Sequence, residues 1–352
     1  MGKCLGRSRL KPFDALVIGG GPTGCATAIG CAQRGLRVAL VERQRFPRFR
    51  PGESLHPAIE PLLEQLGVTA LCASGAVRFA GQWVQWDGPP HFNGFGGDAA
   101  GPWLGFQIAR SLLDSALLQR AAMLGVNIMQ PCQAKRLLTH DRKVIGVETD
   151  KGPLLSAYVI DASGAAGWLN RQHQLTVRRC SPLLVARYGY LIGNLESYAH
   201  APRLQADATG WTWVAQVESH RLHWTRLCFS EGASTPATVP EALRGLPQSG
   251  PILGADVSWR LSTEAVGAGY FMVGDAASLL DPAASHGVLK ALMSGMQAAQ
   301  AVSDCLRQPF IQYSAQAQYN RWISDWFARD LAQMRHFYAT HPCPPDWVKS
   351  WT

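Results

Sequence analysis

An α/β fold is predicted for this chain of 352 residues: a first domain headed by a β-α-β unit, a β-sheet domain inserted into it, and a helical C-terminal segment. Three observations predict it. Residues 13–42 read as apolar strand, glycine turn, alanine-rich helix and second apolar strand (FDALVIGGGPTGCATAIGCAQRGLRVALVE). Residues 175–260 hold strand-like apolar runs and no long helical pattern. The last forty residues place Ile311, Trp322, Ile323, Trp326, Phe327, Leu331, Met334 and Phe337 at helical spacings. Segments 12–75, 103–172 and 262–308 are accordingly assigned to the first domain. Segments 76–102 and 173–261 are assigned to the inserted domain, and 309–352 to the helical segment.

The first unit is of the Rossmann type. Gly19-x-Gly21-x-x-Gly24 stands between the first strand and the helix, and Glu42 closes the second strand. The three glycines serve a tight turn, close approach of backbone to a pyrophosphate, and close packing of helix on strand. The helix N-terminus offers N–H groups and partial positive charge to phosphate. An acid at position 42 is placed to accept from a ribose hydroxyl, and it favours an unphosphorylated ribose. Strand, turn, helix, strand and terminal acid in register predict a dinucleotide site.

Beyond Glu42, Pro47 and Pro51 break any helix, and Ser54 is expected to cap a helix running towards Leu66. Short aromatic strands at 77–79 and 82–86 lead into a glycine-proline loop, an excursion into the second domain. Residues 106–124 have a helical pattern, with Leu112, Leu113, Ala116, Leu117, Met123 and Leu124 on one face. Strands are expected near 126–129, 134–138, 144–149 and 158–160, the last ending in Asp161-Ala-Ser-Gly164. The runs 183–191, 211–217 and 221–229 build the second sheet, the expected floor of a substrate domain. The chain returns to the first domain at Tyr270-Phe-Met-Val-Gly-Asp-Ala-Ala277, and a helix follows from about Val288 to Leu306.

Composition narrows the classes. At 47% hydrophobic residues the chain is globular, yet it has no apolar run long enough to span a bilayer. The basic start reads as a loose tail without the apolar core of a signal peptide, and Gly6 stands where a myristoylation motif needs Ser or Thr. Nine scattered cysteines, odd in number and without a CxxC pair, suit reduced thiols in a cytoplasm better than disulfides or zinc. The net charge of +8 is dispersed, so an anionic small molecule such as a dinucleotide accounts for it better than nucleic acid. Twelve tryptophans point to core packing and to an aromatic-lined cavity, with Trp211 and Trp213 the candidates for its wall.

Four further motifs join the glycine turn: Pro51-Gly-Glu-Ser54, Arg110 at the head of a helix, Asp161–Gly164, and Gly274-Asp275 followed by Asp281-Pro282. Together, and over nearly the whole chain, they resemble the FAD-dependent monooxygenase superfamily, which includes the flavin-dependent halogenases and geranylgeranyl reductase-like enzymes. The resemblance implies a glutathione-reductase-type FAD fold. It assigns Gly19, Gly21, Gly24 and Glu42 to the ADP half of FAD and Arg110 to the phosphates, with Arg43 and Ser54 among the cofactor-binding residues. Gly274 and Asp275 fall to the ribityl region. The stretch from Pro282 to Gly287 falls along the flavin ring, where a helix N-terminus stabilises negative charge on the reduced ring. Glu53 and Ser54, in the flavin-adjacent loop, and His286 become the catalytic candidates.

The nearest likeness within the superfamily is to the halogenases, and two departures argue against halogenation. Their Trp-x-Trp-x-Ile-Pro motif continues here as Trp211-x-Trp213 with Ala215 and Gln216 in place of Ile and Pro. Their catalytic lysine lies shortly after the Gly-Glu-Ser loop, whereas this chain has no lysine between Lys11 and Lys135, and Arg78 and Gln82 occupy the stretch. An always-protonated guanidinium does not replace a nucleophilic amine. Direct transfer of oxygen to an electron-rich ring remains. A compact, non-halogenating member also resembles the maturation flavoproteins of cysteine tryptophylquinone amino-acid oxidases, which hydroxylate a tryptophan of a precursor protein. The resemblance implies FAD, O2, and electrons from NAD(P)H or a separate reductase. Small-molecule oxygenation, a reductase or degenerate halogenase, and a non-catalytic flavin-bearing chaperone of the precursor stay open as alternatives.

Overall fold

The computed structural model describes residues 12–70, 77–229 and 238–349; the basic start, Cys4 and Cys72 lie outside the described residues. The first unit runs β1 (Phe13–Ile18), α1 (Pro22–Gln33) and β2 (Val38–Val41), followed by α2 (Arg110–Met123). Four more strands follow: β3 (Asn127–Met129), β4 (Ala134–His140), β5 (Lys143–Thr149) and β6 (Gly152–Asp161). The chain returns in β7 (Tyr270–Met272) and ends in two long helices, α3 (Gly287–Arg307) and α4 (Gln312–Ala339).

Strands β3, β2, β1, β6 and β7 lie side by side and parallel, with Ala15 opposite both Val38 and Tyr158. The VALV run of β2 is buried along its whole length, as a parallel strand covered on both faces requires. The outer end of β6 turns into an antiparallel meander with β5 and β4. A seven-stranded sheet stands apart, in the order Leu253–Asp256, Val185–Ile192, Arg221–Cys228, Gly210–Glu218, Arg203–Asp207, Gly81–Gln85 and His91–Gly94. One apolar core runs continuously from β1 and α1 to Trp211 and Leu227 of this sheet; a satellite cluster of Leu191, Val214, Leu222, Trp224 and Leu243 fills its outer face.

Helix α4 joins the two sheets. Its buried stripe, Tyr319, Ile323, Phe327, Leu331, Met334 and Tyr338, follows the spacing expected from the sequence. At its C-terminal end Tyr338 donates its hydroxyl to Asp281 Oδ2 at 2.7 Å and accepts from Trp211 Nε1 at 2.8 Å. Trp259 Nε1 donates to the same carboxylate oxygen at 2.6 Å. On the preceding residue, Phe337, Trp86 stacks with ring centroids 3.9 Å apart and donates to its carbonyl. Burial pushes the Asp281 carboxyl up to about 6, and the hydrogen bonds from Tyr338, Trp259 and the Ala283 N–H pull against that rise.

Three local expectations change. Ser54 caps no helix: it pairs as a strand with Gln107 and donates its hydroxyl to Gln107 Oε1 at 2.8 Å. Pro57 and Pro61 delay the helix to Glu60–Leu66, after a 3-10 turn capped by His56. Residues Gly105–Gln107 are strand, and the helix begins at Arg110. Within it Leu112 and Met123 are exposed, and the buried face is Leu113, Asp114, Leu117, Leu118 and Ala121. A sequence window starting at 106 misphases that stripe.

Replacing Tyr338 by Phe leaves Trp211 Nε1 and Asp281 Oδ2 each short of one partner inside the core. It should destabilise the fold by on the order of 1–3 kcal/mol. Because the folded-state pKa of Asp281 lies above its ordinary 3.8, the native state holds the extra proton. Stability therefore falls as pH rises through the interval up to about 6, and is level above it. In the Phe variant the fall should extend to higher pH. Thermal unfolding across a pH series checks both parts.

Candidate functional site

The glycine turn is built by steric necessity. Gly19 has φ +105°, and a Cβ there would collide with the Ala162 carbonyl oxygen of the Asp161–Gly164 turn; one at Gly24 would collide with the carbonyl of Gly19. Gly21, the N-cap of α1, differs: the nearest atom to a Cβ there is Arg48 Nη2 at 3.3 Å, the end of a flexible side chain and not backbone. These residues fit a dinucleotide pyrophosphate, with backbone exposed at one glycine and helix on strand at another. Asp161 holds the opposing turn by accepting from the Ser163 and Leu169 N–H groups, at 2.9 and 2.7 Å.

Glu42 is buried at the end of β2. It accepts from the Gly20 N–H and the Gln44 N–H, both at 2.8 Å, and from Arg48 Nη1 at 3.2 Å. Arg43 beside it is exposed. From Glu42 a ladder of charge runs inward. Arg48 also reaches Asp114 Oδ2 at 3.4 Å, Asp114 Oδ1 accepts from Arg110 Nε at 3.0 Å, and Arg110 Nη1 donates to the Pro51 carbonyl at 2.8 Å. Asp114 is fully buried, which a carboxylate tolerates only when paired. Burial works against the charged form of Arg110, but Asp114 outweighs it and the guanidinium is held above its ordinary value. Arg48 and Asp114 escaped the sequence reading; the basic 43–50 stretch and the i,i+4 spacing of Arg110 and Asp114 were the available signals.

At the N-terminal end of α3 four predicted pieces converge. A Cβ on Gly52 would lie 3.0 Å from Arg110 Nη1 and 3.5 Å from Val288 Cγ2, so the Gly-Glu-Ser loop abuts the first turn of α3. The Gly274 N–H donates to Ser294 Oγ of α3 at 2.9 Å, and Asp275 follows it. Burial pushes the Asp275 carboxyl up, offset by Lys290, Arg110 and Arg260, and the carboxylate makes no hydrogen bond among the described residues. Lys290, buried in α3, has its pKa lowered by burial against the charges of Asp275 and Asp330. Pro282 and Gly287 are exposed beside the first turn of α3. His286 turns aside, its Nε2 lying 3.0 Å from Asp330 of α4. That makes it a brace between α3 and α4.

The Gly-Glu-Ser loop also reaches the second sheet. On the sheet face turned towards it, cross-strand rows run Tyr190–His223–Ala215, Tyr188–Thr225–Trp213 and Ala186–Leu227–Trp211. Glu53 meets the first row: Tyr190 donates its hydroxyl to Glu53 Oε1, and His223 Nδ1 lies 3.5 Å from Oε2. Tyr190 and His223 stack with centroids 5.0 Å apart. Trp211 is fully buried against α4 and belongs to the core, whereas Trp213 is half-buried. The His223 row was not found from sequence, where a histidine in a strand carries no signal of its own.

A model of FAD dependent oxidoreductases matches residues 14–89, and the tryptophan halogenase family model matches residues 99–347. The chain is 28% identical to a tryptophan 2-halogenase of Chondromyces crocatus, over 92% of this chain and 67% of that protein. It is 26% identical to a 1H-pyrrole-2-carbonyl-[peptidyl-carrier protein] brominase of Pseudoalteromonas luteoviolacea, over 87% of this chain and 82% of that one. Among solved structures, a myxobacterial chondrochloren halogenase superposes with TM-score 0.83 at 24% identity, covering 94% and 84% of the two chains. A peptidyl tryptophan dihydroxylase essential for tryptophylquinone cofactor biogenesis superposes with TM-score 0.75 at 23% identity, covering 96% and 78%.

Arg110→Met should weaken binding of FAD to the apoprotein by on the order of 10- to 100-fold, the value of one lost charge-assisted contact. Arg48 still pairs with Asp114 at 3.4 Å in that variant, so part of the carboxylate's compensation remains and a thermal-unfolding control separates lost stability from lost affinity. Quenching of flavin fluorescence on titration reads the affinity. An unchanged affinity would reduce Arg110 to a structural clamp on Asp114 and Pro51.

Proposed function

The chain belongs to the tryptophan halogenase family of FAD-dependent oxidoreductases, and from that premise we propose that it inserts oxygen into an aromatic ring, a tryptophan of a precursor polypeptide. FAD, reduced by NAD(P)H or a separate reductase, supplies with O2 the oxidising equivalent. The protein's own groups bind and orient. Gly21 and the N-terminus of α1 take the pyrophosphate, and Arg110 lies beside it. Asp275 takes a ribityl hydroxyl, and the first turn of α3 faces the electron-rich edge of the ring. The second sheet is the substrate side, with Tyr188, Tyr190 and Trp213 an aromatic wall that excludes water.

One observation carries oxygenation over halogenation. The stretch where the halogenase lysine belongs offers Arg78, whose guanidinium is ion-paired with Glu60 and lies 5.1 Å from the Phe106 ring centroid. It is a committed cation with no free amine. A polymer-borne substrate is supported by the names of two similar proteins, one acting on a ring carried by a peptidyl-carrier protein and one on peptidyl tryptophan. A second reading, halogenation, has the family match and the buried amine of Lys290 in its favour.

Mass spectrometry of a candidate precursor, co-expressed with and without this protein in medium containing bromide, separates the two. A gain of one or two oxygen atoms on a single tryptophan, unaffected by bromide, is the expected result. A brominated ring lost in Lys290→Met would establish halogenation instead. An unmodified precursor, with oxygen still consumed on free indoles, would move the substrate to a small molecule.

A further inference from the structure

Adding oxygen to an aromatic carbon ends with a proton to dispose of: a C–O bond forms, the C–H bond breaks, and its electron pair returns to the ring. The second oxygen atom leaves as water, and the reduced flavin supplies the two electrons. We propose that Glu53 and His223 form the acceptor for that proton, with Tyr190 and His223 positioning the Glu53 carboxylate.

The geometry is specific. Glu53 belongs to the loop that abuts α3 and Arg110, yet its side chain leaves that domain and enters the second sheet. It is 5% exposed, and so is His223. Oε1 is held by the Tyr190 hydroxyl, while Oε2 has no hydrogen-bond partner and faces His223 Nδ1 at 3.5 Å. A buried carboxylate oxygen left without a donor is costly, and such sites are explained by a proton or ligand that arrives in use. With Nδ1 facing a carboxylate, the imidazole carries its hydrogen there. That leaves Nε2 as the basic nitrogen beside the Thr225 hydroxyl, 3.3 Å away. Uptake of one proton then gives an imidazolium next to Glu53, the charge pair that burial tolerates.

Two further features agree. His223 is flanked across the ladder by Ala215, the position at which the halogenase motif has Ile. A branched side chain there would lie about 5 Å from the His223 Cβ and crowd the ring. The charged and titratable groups around the imidazole also set its working state. Burial pushes it below its ordinary 6.5, Glu53 pulls it back up, and Arg221 pushes it down. Tyr188 and Tyr190 face it from the neighbouring strand, both held protonated by burial, and Arg50 lies beside Tyr188. The imidazole is therefore neutral and able to accept a proton at neutral pH.

The test has one arm that needs no substrate. In FAD-loaded protein labelled at histidine Cε1, the resonance absent from His223→Asn should titrate below pH 6.5 and report the Nδ1–H tautomer. In Glu53→Gln it should titrate lower still, because the carboxylate that favours the charged ring is gone. An imidazole still charged at alkaline pH, or one unmoved by Glu53→Gln, would overturn the proposal.

The second arm rests on the oxygenase reading and uses a tryptophan-containing peptide as probe. His223→Gln should cost on the order of 100-fold in kcat with KM within about twofold, and should abolish the acid limb of the pH profile. A variant that binds FAD normally and keeps that limb would also overturn it. If the wild type never modifies the peptide, the function assigned above fails, and the imidazole titration still decides the dyad.

Discussion

The distance between α1 and its neighbours governs this molecule. A Cβ on Gly24 would run into the Gly19 carbonyl, and one on Gly295 of α3 would lie 2.5 Å from the Thr23 carbonyl. Helix α1 is thus pressed backbone-close against the turn below it and against α3 beside it. That contact fixes the N-termini of α1 and α3 in one frame, the two ends to which the proposed function assigns the pyrophosphate and the ring. Ser294, one residue before Gly295, receives the Gly274 N–H and ties the Gly-Asp turn to the same frame. A ligand spanning both ends meets fixed donors at each, without reorganisation of the chain.

The segment from 43 to 54 has almost no secondary structure of its own and is ordered by charge. Arg48 bridges Glu42 and Asp114, and Arg110 bridges Asp114 and the Pro51 carbonyl. Asp114, with no exposure, needs both guanidiniums; either alone leaves part of a buried carboxylate uncompensated. The ladder explains how a chain carrying a net charge of +8 builds a site of balanced charge, and how Glu53 is delivered to a sheet outside the first domain.

The parallel sheet and the glycine turn that heads α1 were legible in the sequence because their signals are local. Apolar runs of strand length, a glycine triplet and an acid at the next strand end sit within thirty residues. The stripe of α4 was legible for the same reason. What escaped depends on pairings across the fold. Asp114 meets Arg48 sixty-six residues away, and Glu53 meets Tyr190 137 residues away; no window on the sequence joins them. Ser54 was misread because its serine suits a cap, while it pairs as a strand with Gln107, fifty-three residues away. Trp211 carries the family's motif but is drawn into the core by Tyr338, a residue of the last helix that no local pattern connects to it.

The departures from the halogenase pattern share one small sheet. Ser54–Leu55, Gly105–Gln107 and Arg78–Phe79 pair as three short strands, so the segment that lacks the lysine is hydrogen-bonded, through one intermediary, to the loop that carries Glu53. On that side Arg78 is tied to Glu60 and closes against Phe106. On the opposite wall, Ala215 gives the imidazole of His223 its place beside Glu53. An amine that would capture an electrophilic halogen is absent from one wall, and a group suited to accept a proton stands on the other. Halogen transfer and oxygen transfer both end by returning a ring carbon to aromaticity, and both must shed a proton there. On the function proposed above, the buried Glu53 and His223, 3.5 Å apart, would serve the step the two reactions share.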